Sequence, residues 1–139
     1  MVFVDTWAWI SLAVKQDQHH GAAKAQHRKF RKTNRKYVTT DFIVSELISR
    51  LYRTTPAPAA QGYVRALLAK VDAGDYVLVH VSGDQFRRAW HMRQKYQDKP
   101  DISFVDFTSM VVMQDLGIIE VFTGDSHFQQ VNLGFHLQP

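Results

Sequence analysis

Four acids interrupt apolar stretches of the chain: Asp5 in VFVDTW, Glu46 in IVSELI, Asp106 in SFVDFT and Asp125 in VFTGDS. A carboxylate in such surroundings is costly unless it is protonated, paired or shared with a cation. Two of them about 5 Å apart at an effective dielectric of about 20 repel by roughly 3 kcal/mol, so converging acids need neutralisation. Protonation of some members or nearby Lys and Arg can supply it, but a divalent ion with oxygen ligands does so most directly. The chain has no cysteine and no two histidines spaced four apart, so hard Mg²⁺ or Mn²⁺ is expected over zinc.

Each acid also has a simpler reading. Asp106 lies three residues after Ser103, the spacing of a capping box. Glu46 can pair with Arg50 one helical turn on, an exposed contact of a few tenths of a kcal/mol. Asp5 and Asp125 can merely end strands, although TWAW after Asp5 carries no turn chemistry. Convergence of all four depends on the elements that carry them.

Val2 to Val4 is an apolar run ending in an acid, the pattern of a buried parallel strand. A helix is expected from about Thr6, a basic one from His20 to Arg35, and a strand at Tyr37 to Thr40. Thr40 or Asp41 then caps a helix with Ile43, Leu47 and Leu51 at near-helical spacing. Pro56 and Pro58 break it, and another helix is expected from about Ala59 to Val71, stopped at Gly74. Tyr76 to Val81 reads as a strand, Ser82 to about Gln97 as a helix, and Ser103 to Leu116 as a helix closed by Gly117. Ile118 to Thr123 is a strand, Gly124 to Phe128 a turn, and Phe135 to Leu137 a last short strand.

This alternation implies an α/β fold: one domain with a mostly parallel central sheet, right-handed crossovers and flanking helices. Ligands of such sheets bind beyond the carboxyl ends of the strands, where strand order reverses. Asp5 and Asp125 follow strands there, Glu46 lies in the second turn of a helix starting there, and Asp106 belongs to a helix that must begin there to deliver a parallel strand.

At 139 residues and 45% hydrophobic content, the chain suits one domain with a real core. The start of the chain does not read as a signal peptide, and no apolar run approaches the roughly 20 residues of a membrane span. The formal charge of +4 is unevenly spread, with basic residues crowded between Lys24 and Lys36. A polyanionic partner fits that separation of signs from the buried acids.

In FVDTW (3–7), TTDFIVSELISRL (39–51), DISFVDFTSMVVMQDLGI (101–118) and VFTGDSHF (121–128), the chain resembles PIN-domain ribonucleases of the VapC type, toxins of prokaryotic toxin–antitoxin pairs. The pieces fall in the family's order over almost the whole chain. The resemblance implies a cytoplasmic Mg²⁺- or Mn²⁺-dependent endoribonuclease, with Asp5, Glu46, Asp106 and Asp125 as catalytic metal ligands and Asp101 as an accessory acid. The implied reaction is in-line attack of water on an RNA phosphodiester, leaving 5′-phosphate and 3′-hydroxyl ends. The resemblance also implies a homodimer, a VapB-like antitoxin and a toxin–antitoxin hetero-oligomer. Thr6, Thr123 and Ser126 neighbour the acids and can orient carboxylates or a bound water, against a reading as cap and turn residues.

Because an acidic pocket repels RNA, basic residues must guide the backbone; Arg28, Lys29, Arg31, Lys32, Arg87 and Arg88, with Arg93 and Lys95, are the candidates, against a reading as solvated helix faces. Trp7, Trp9, Phe42 and Tyr52 can line a partner contact or belong to the core. His127 reads as a surface residue, and Gly124, where the family carries a bulkier residue, is expected to loosen Asp125. Two other readings remain: a noncatalytic RNA-binding scaffold, and a nuclease acting on DNA. A receiver or haloacid-dehalogenase-like phosphatase fits poorly, because Asp5 is followed by Thr6-Trp7-Ala8 rather than a second acid.

Overall fold

The computed structural model describes residues 1–139. Five strands form one sheet: β1 (Val2–Val4), β2 (Tyr37–Thr40), β3 (Tyr76–Val79), β4 (Glu120–Phe122) and β5 (His136–Leu137). Their order is β3-β2-β1-β4-β5, and every neighbouring pair is parallel. Seven helices connect them: α1 (Thr6–Ala13), α2 (His20–Lys32), α3 (Asp41–Thr54), α4 (Ala57–Asp72), α5 (Gly83–Lys95), α6 (Phe104–Leu116) and α7 (His127–Gln130). The chain extends from β1 to β2 and β3 on one side, then crosses back over β1 to place β4 on the other. The crevice between the carboxyl ends of β1 and β4 is therefore the switch point where such sheets bind ligands.

Burial explains the strand composition. Val2, Phe3 and Val4 are fully buried, as are Val121 and Phe122 beside them, so these short strands carry apolar residues on both faces. Helix α6 is buried continuously from Asp106 to Met113. It packs against α3 and α5, which is why its sequence is apolar on all sides. Its first turn, carrying Asp106, is thereby fixed at the carboxyl edge.

Local chemistry sets the ends of the elements. Thr40 Oγ1 accepts from the Ile43 amide at 3.1 Å to cap α3, while Asp41 Oδ1 accepts from the Val81 amide at 3.0 Å. That second bond ties the segment after β3 to α3, so His80 and Val81 leave the expected strand. Helix α2 stops at Lys32, short of Arg35, because Asn34 turns left-handed at φ 54°. Pro58 lies inside the first turn of α4, where its missing amide hydrogen costs nothing, and the helix starts at Ala57 rather than Ala59. Gly117, at φ 68°, closes α6, and the Ile118 amide bonds back to Met113 O at 2.9 Å. Ile118 thus finishes a helix instead of opening β4. The expected turn at 124–128 contains the start of the one-turn helix α7.

Candidate active site

Asp5 directly follows β1, at the position before α1, yet its carboxylate makes no capping bond to that helix. Instead Asp5 Oδ2 accepts from Thr123 Oγ1 at 2.9 Å, a bond from the end of β1 to the end of β4. The same Thr123 oxygen accepts from the Asp125 amide at 3.0 Å. One hydroxyl thus fixes a side chain on one strand and the backbone carrying the next acid on its neighbour. Asp125 Oδ1 in turn accepts from the His127 amide at 3.0 Å, so the turn is held at both ends.

Asp106 satisfies both of its sequence readings. Ser103 Oγ accepts from the Asp106 amide and Asp106 Oδ2 accepts from the Ser103 amide, each at 3.1 Å, a complete capping box. The positive end of α6 favours an ionised carboxylate there. His127 Nδ1 lies 2.9 Å from Asp106 Oδ2 and 3.1 Å from Asp125 Oδ2, bridging two acids from different elements. His127 is therefore not a surface residue: its side chain is 22% exposed and meets both carboxylates. The only sequence signal was its place two residues after Asp125, where a turn brings a side chain back over the acid.

These groups line one cavity of about 220 Å³: Asp5, Thr6, Trp7, Glu46, Arg50, Ser103, Asp106, Asp125 and His127. The four acids singled out in the sequence meet here. Arg50 and Glu46 both line the wall without pairing, so the helical ion pair does not form. Arg50, Ser103 and Trp7 were not singled out as site residues, because cap, pair and core readings accounted for them.

The electrostatics are those of a cluster short of positive charge. Burial raises the Asp5 pKa from 3.8 to about 7, reinforced by the charges of Asp106 and Asp125 and opposed by the Thr123 hydroxyl and the nearby backbone amide of Thr6. Burial also raises that of Asp106, opposed by His127 and the Ser103 amide. Thr6 Oγ1 is buried in the cavity wall with no hydrogen-bond partner. Repelling carboxylates beside a buried hydroxyl without a partner fit a divalent cation, which would engage the acids.

The remaining candidates lie elsewhere. Asp101 is exposed and absent from the cavity wall. Ser126 turns away, its Oγ accepting from Gln130 Nε2 at 3.1 Å and its carbonyl opening α7. Arg28, Lys29, Arg31 and Lys32 are exposed on α2. Arg87 is exposed on α5, but Arg88 is committed, donating to Asp84 at 2.8 Å and to both oxygens of Asp115 at 2.8 and 2.6 Å. Arg93 is also committed, holding the carbonyls of Tyr96, Lys99 and Ile102 and stacking on Phe107. Trp9 is core; Tyr52 is exposed, and Trp7 and Phe42 are half-buried.

Gly124 does not loosen the fourth acid. A Cβ there would sit 2.5 Å from Trp7 Cε2 and 2.9 Å from Cη2, closer still to Cζ2. The indole occupies the space a side chain would need, and the turn is pinned by the Thr123 and His127 bonds.

A family profile described as PIN domain matches residues 2–133. The chain is 30% identical over 128 residues to a protein of Mycobacterium tuberculosis named 23S rRNA-specific endonuclease VapC20, covering 92% of each chain, in both strain H37Rv and strain CDC 1551. The crystal structure of M. tuberculosis VapC20, described as a sarcin–ricin loop cleaving toxin, superposes with a TM-score of 0.83 at 28% identity, covering 98% of this chain and 97% of that one.

Proposed function

The chain belongs to the PIN-domain family, and from that premise we propose that it is a divalent-metal-dependent endoribonuclease acting as the toxin of a toxin–antitoxin pair. The observation that carries this reading is the meeting of Asp5, Glu46, Asp106 and Asp125 in one cavity at the β1/β4 crevice. Asp5, Glu46, Asp106 and Asp125 would hold Mg²⁺ or Mn²⁺, which would supply positive charge for a phosphodiester and lower the pKa of water. The chain's own groups do the positioning. Thr123 sets the Asp5 carboxylate and the Asp125 backbone, Ser103 orients Asp106 through the capping box, and buried Thr6 lines the wall beside them. One carboxylate orients or deprotonates the attacking water, which leaves a 5′-phosphate and a 3′-hydroxyl.

Exposed Arg28, Lys29, Arg31 and Lys32 lie on the half of α2 that leads into the start of β2, toward the amino edge of the sheet, so a polyanion held there runs outside the acidic cavity. Similarity to VapC20 over 92% of the chain supports 23S rRNA as the substrate, and the resemblance to VapC-type toxins carries the reading of a homodimer with a VapB-like antitoxin as partner. No helix is long and apolar enough to cross a membrane, and the family resemblance supports a cytoplasmic site of action.

The test incubates antitoxin-free protein with 23S rRNA, an isolated sarcin–ricin hairpin and single-stranded DNA, with Mg²⁺, with Mn²⁺ and with EDTA. Metal-dependent RNA cleavage lost in Asp5→Asn and Asp106→Asn is expected. Cleavage that survives both substitutions, or EDTA, overturns the assignment; cleavage of DNA alone favours the deoxyribonuclease reading.

A further inference from the structure

We propose that His127 Nδ1 is a nitrogen ligand of the metal centre, giving it a preference for Mn²⁺ over Mg²⁺. The inference rests on the metal-site reading above and goes beyond it, since that reading needs oxygen ligands alone.

Three ligand atoms, one each from Asp106, Asp125 and His127, lie within 4.8 Å of one another. The Nδ1 separations of 2.9 and 3.1 Å from the two carboxylate oxygens are near the edge of an octahedron built on bonds of roughly 2.1 Å, about 3 Å. A neutral imidazole with its proton on Nε2 presents the Nδ1 lone pair to the space those oxygens enclose. Without a metal, the Nδ1 hydrogen serves the same two oxygens, so the ring occupies one place in both states.

The ring is also placed before any ion arrives. The His127 amide donates to Asp125 Oδ1, and the next residue, Phe128, is fully buried and anchors α7 to the core. The side chain bridges acids from the start of α6 and the turn after β4, so a cation there would cross-link those elements. Independent of the acids, Thr6 lines the same cavity with its Oγ1 buried and without a hydrogen-bond partner. That hydroxyl is the second sign that a hydrated ligand belongs there.

Ligand chemistry gives the selectivity. Mg²⁺ is hard, strongly oxygen-seeking and reluctant to dehydrate. Imidazole nitrogen suits the transition series, so replacing one oxygen by Nδ1 shifts the balance toward Mn²⁺.

The test measures binding of Mn²⁺ and of Mg²⁺ to the full chain by calorimetry, with pulsed electron paramagnetic resonance of the Mn²⁺-loaded protein. Wild type is expected to bind Mn²⁺ about tenfold or more tightly than Mg²⁺ and to show the ¹⁴N coupling of a directly bound imidazole. His127→Asn is expected to abolish that coupling and to weaken Mn²⁺ about 10- to 100-fold while leaving Mg²⁺ nearly unchanged. Mn²⁺ bound to wild type without ¹⁴N coupling overturns the proposal whatever the variant's stability. Equal loss of both ions in a folded variant also overturns it, leaving His127 as a residue that positions carboxylates. Failure of wild type to bind Mn²⁺, or binding indifferent to Asp5→Asn, overturns the metal-site reading beneath it.

Discussion

The Thr123 hydroxyl donates to Asp5 Oδ2 at 2.9 Å across 118 residues of sequence, and through it the ends of β1 and β4 share one polar hinge. Because the same oxygen accepts from the Asp125 amide, Thr123→Val removes two bonds with almost no change in shape. The Asp125 amide then lacks a partner and Asp5 loses a bond that lowers its pKa. A loss of about 1–3 kcal/mol in denaturant unfolding is expected, with RNA cleavage reduced about 10- to 100-fold. Thr123→Ser keeps the oxygen and should retain most of both. If Val cleaves like wild type, Thr123 does not orient the acids.

Asp5 predicts how stability depends on pH. Its folded pKa of about 7 stands above the ordinary 3.8, so between those values the native state binds more protons than the unfolded chain. Asp5's contribution is therefore fully present below about pH 4 and lost as pH rises through about 7. The loss is on the order of a few kcal/mol. Unfolding in EDTA between about pH 4 and 8 should show this decline, flattened in Asp5→Asn and offset in wild type by Mn²⁺ or Mg²⁺. An Asp5→Asn protein that declines as steeply as wild type would remove Asp5 as the source.

Much of this was readable in the sequence because the signals were local. VFV, YVTT and the apolar run of α6 carry the periodicity of buried strands and a buried helix, and the acids follow or begin those elements. Element ends were less readable where distant atoms set them: Asp41 reaches across 40 residues to Val81, and only the folded chain shows why the strand stops at Val79. His127 was missed for the same reason, since its bond to Asp106 spans 21 residues. Arg88 looked free in the sequence because Asp115, 27 residues away, carries no local pairing signal. Its hydrogen bonds draw the Asp115 pKa down to about 2.

Trp7 and Gly124 form a steric pair that ties the start of α1 to the turn carrying Asp125. Gly124→Ala places a Cβ inside contact distance of three indole atoms, so either the ring or the turn must move. A cost of about 1–3 kcal/mol is expected from such overpacking, with weakened metal binding if the turn is what yields. Trp7→Leu should relieve the clash, making the double variant more stable than the two single effects sum to. Additive effects in thermal or denaturant unfolding would show that the indole gives way without resistance.

The basic residues of α2 and α5 should separate in their effect on RNA. Arg28 and Lys32 are exposed without an acidic partner, whereas Arg88 spends its guanidinium on Asp84 and Asp115. A cation already bonded to two carboxylates releases no counterion when RNA arrives, but a free one does. Measured in the cleavage-inactive Asp106→Asn background, Arg28→Gln and Lys32→Gln should each weaken RNA binding and reduce the slope of log affinity against log salt by about 0.7 per lost contact to a single strand. Arg88→Gln should leave that slope unchanged and act instead on the contact between α5 and α6. The opposite pattern, with Arg88 carrying the salt dependence, would mean that its bonds to Asp84 and Asp115 exchange for phosphate in the complex and would move the RNA path from α2 to α5.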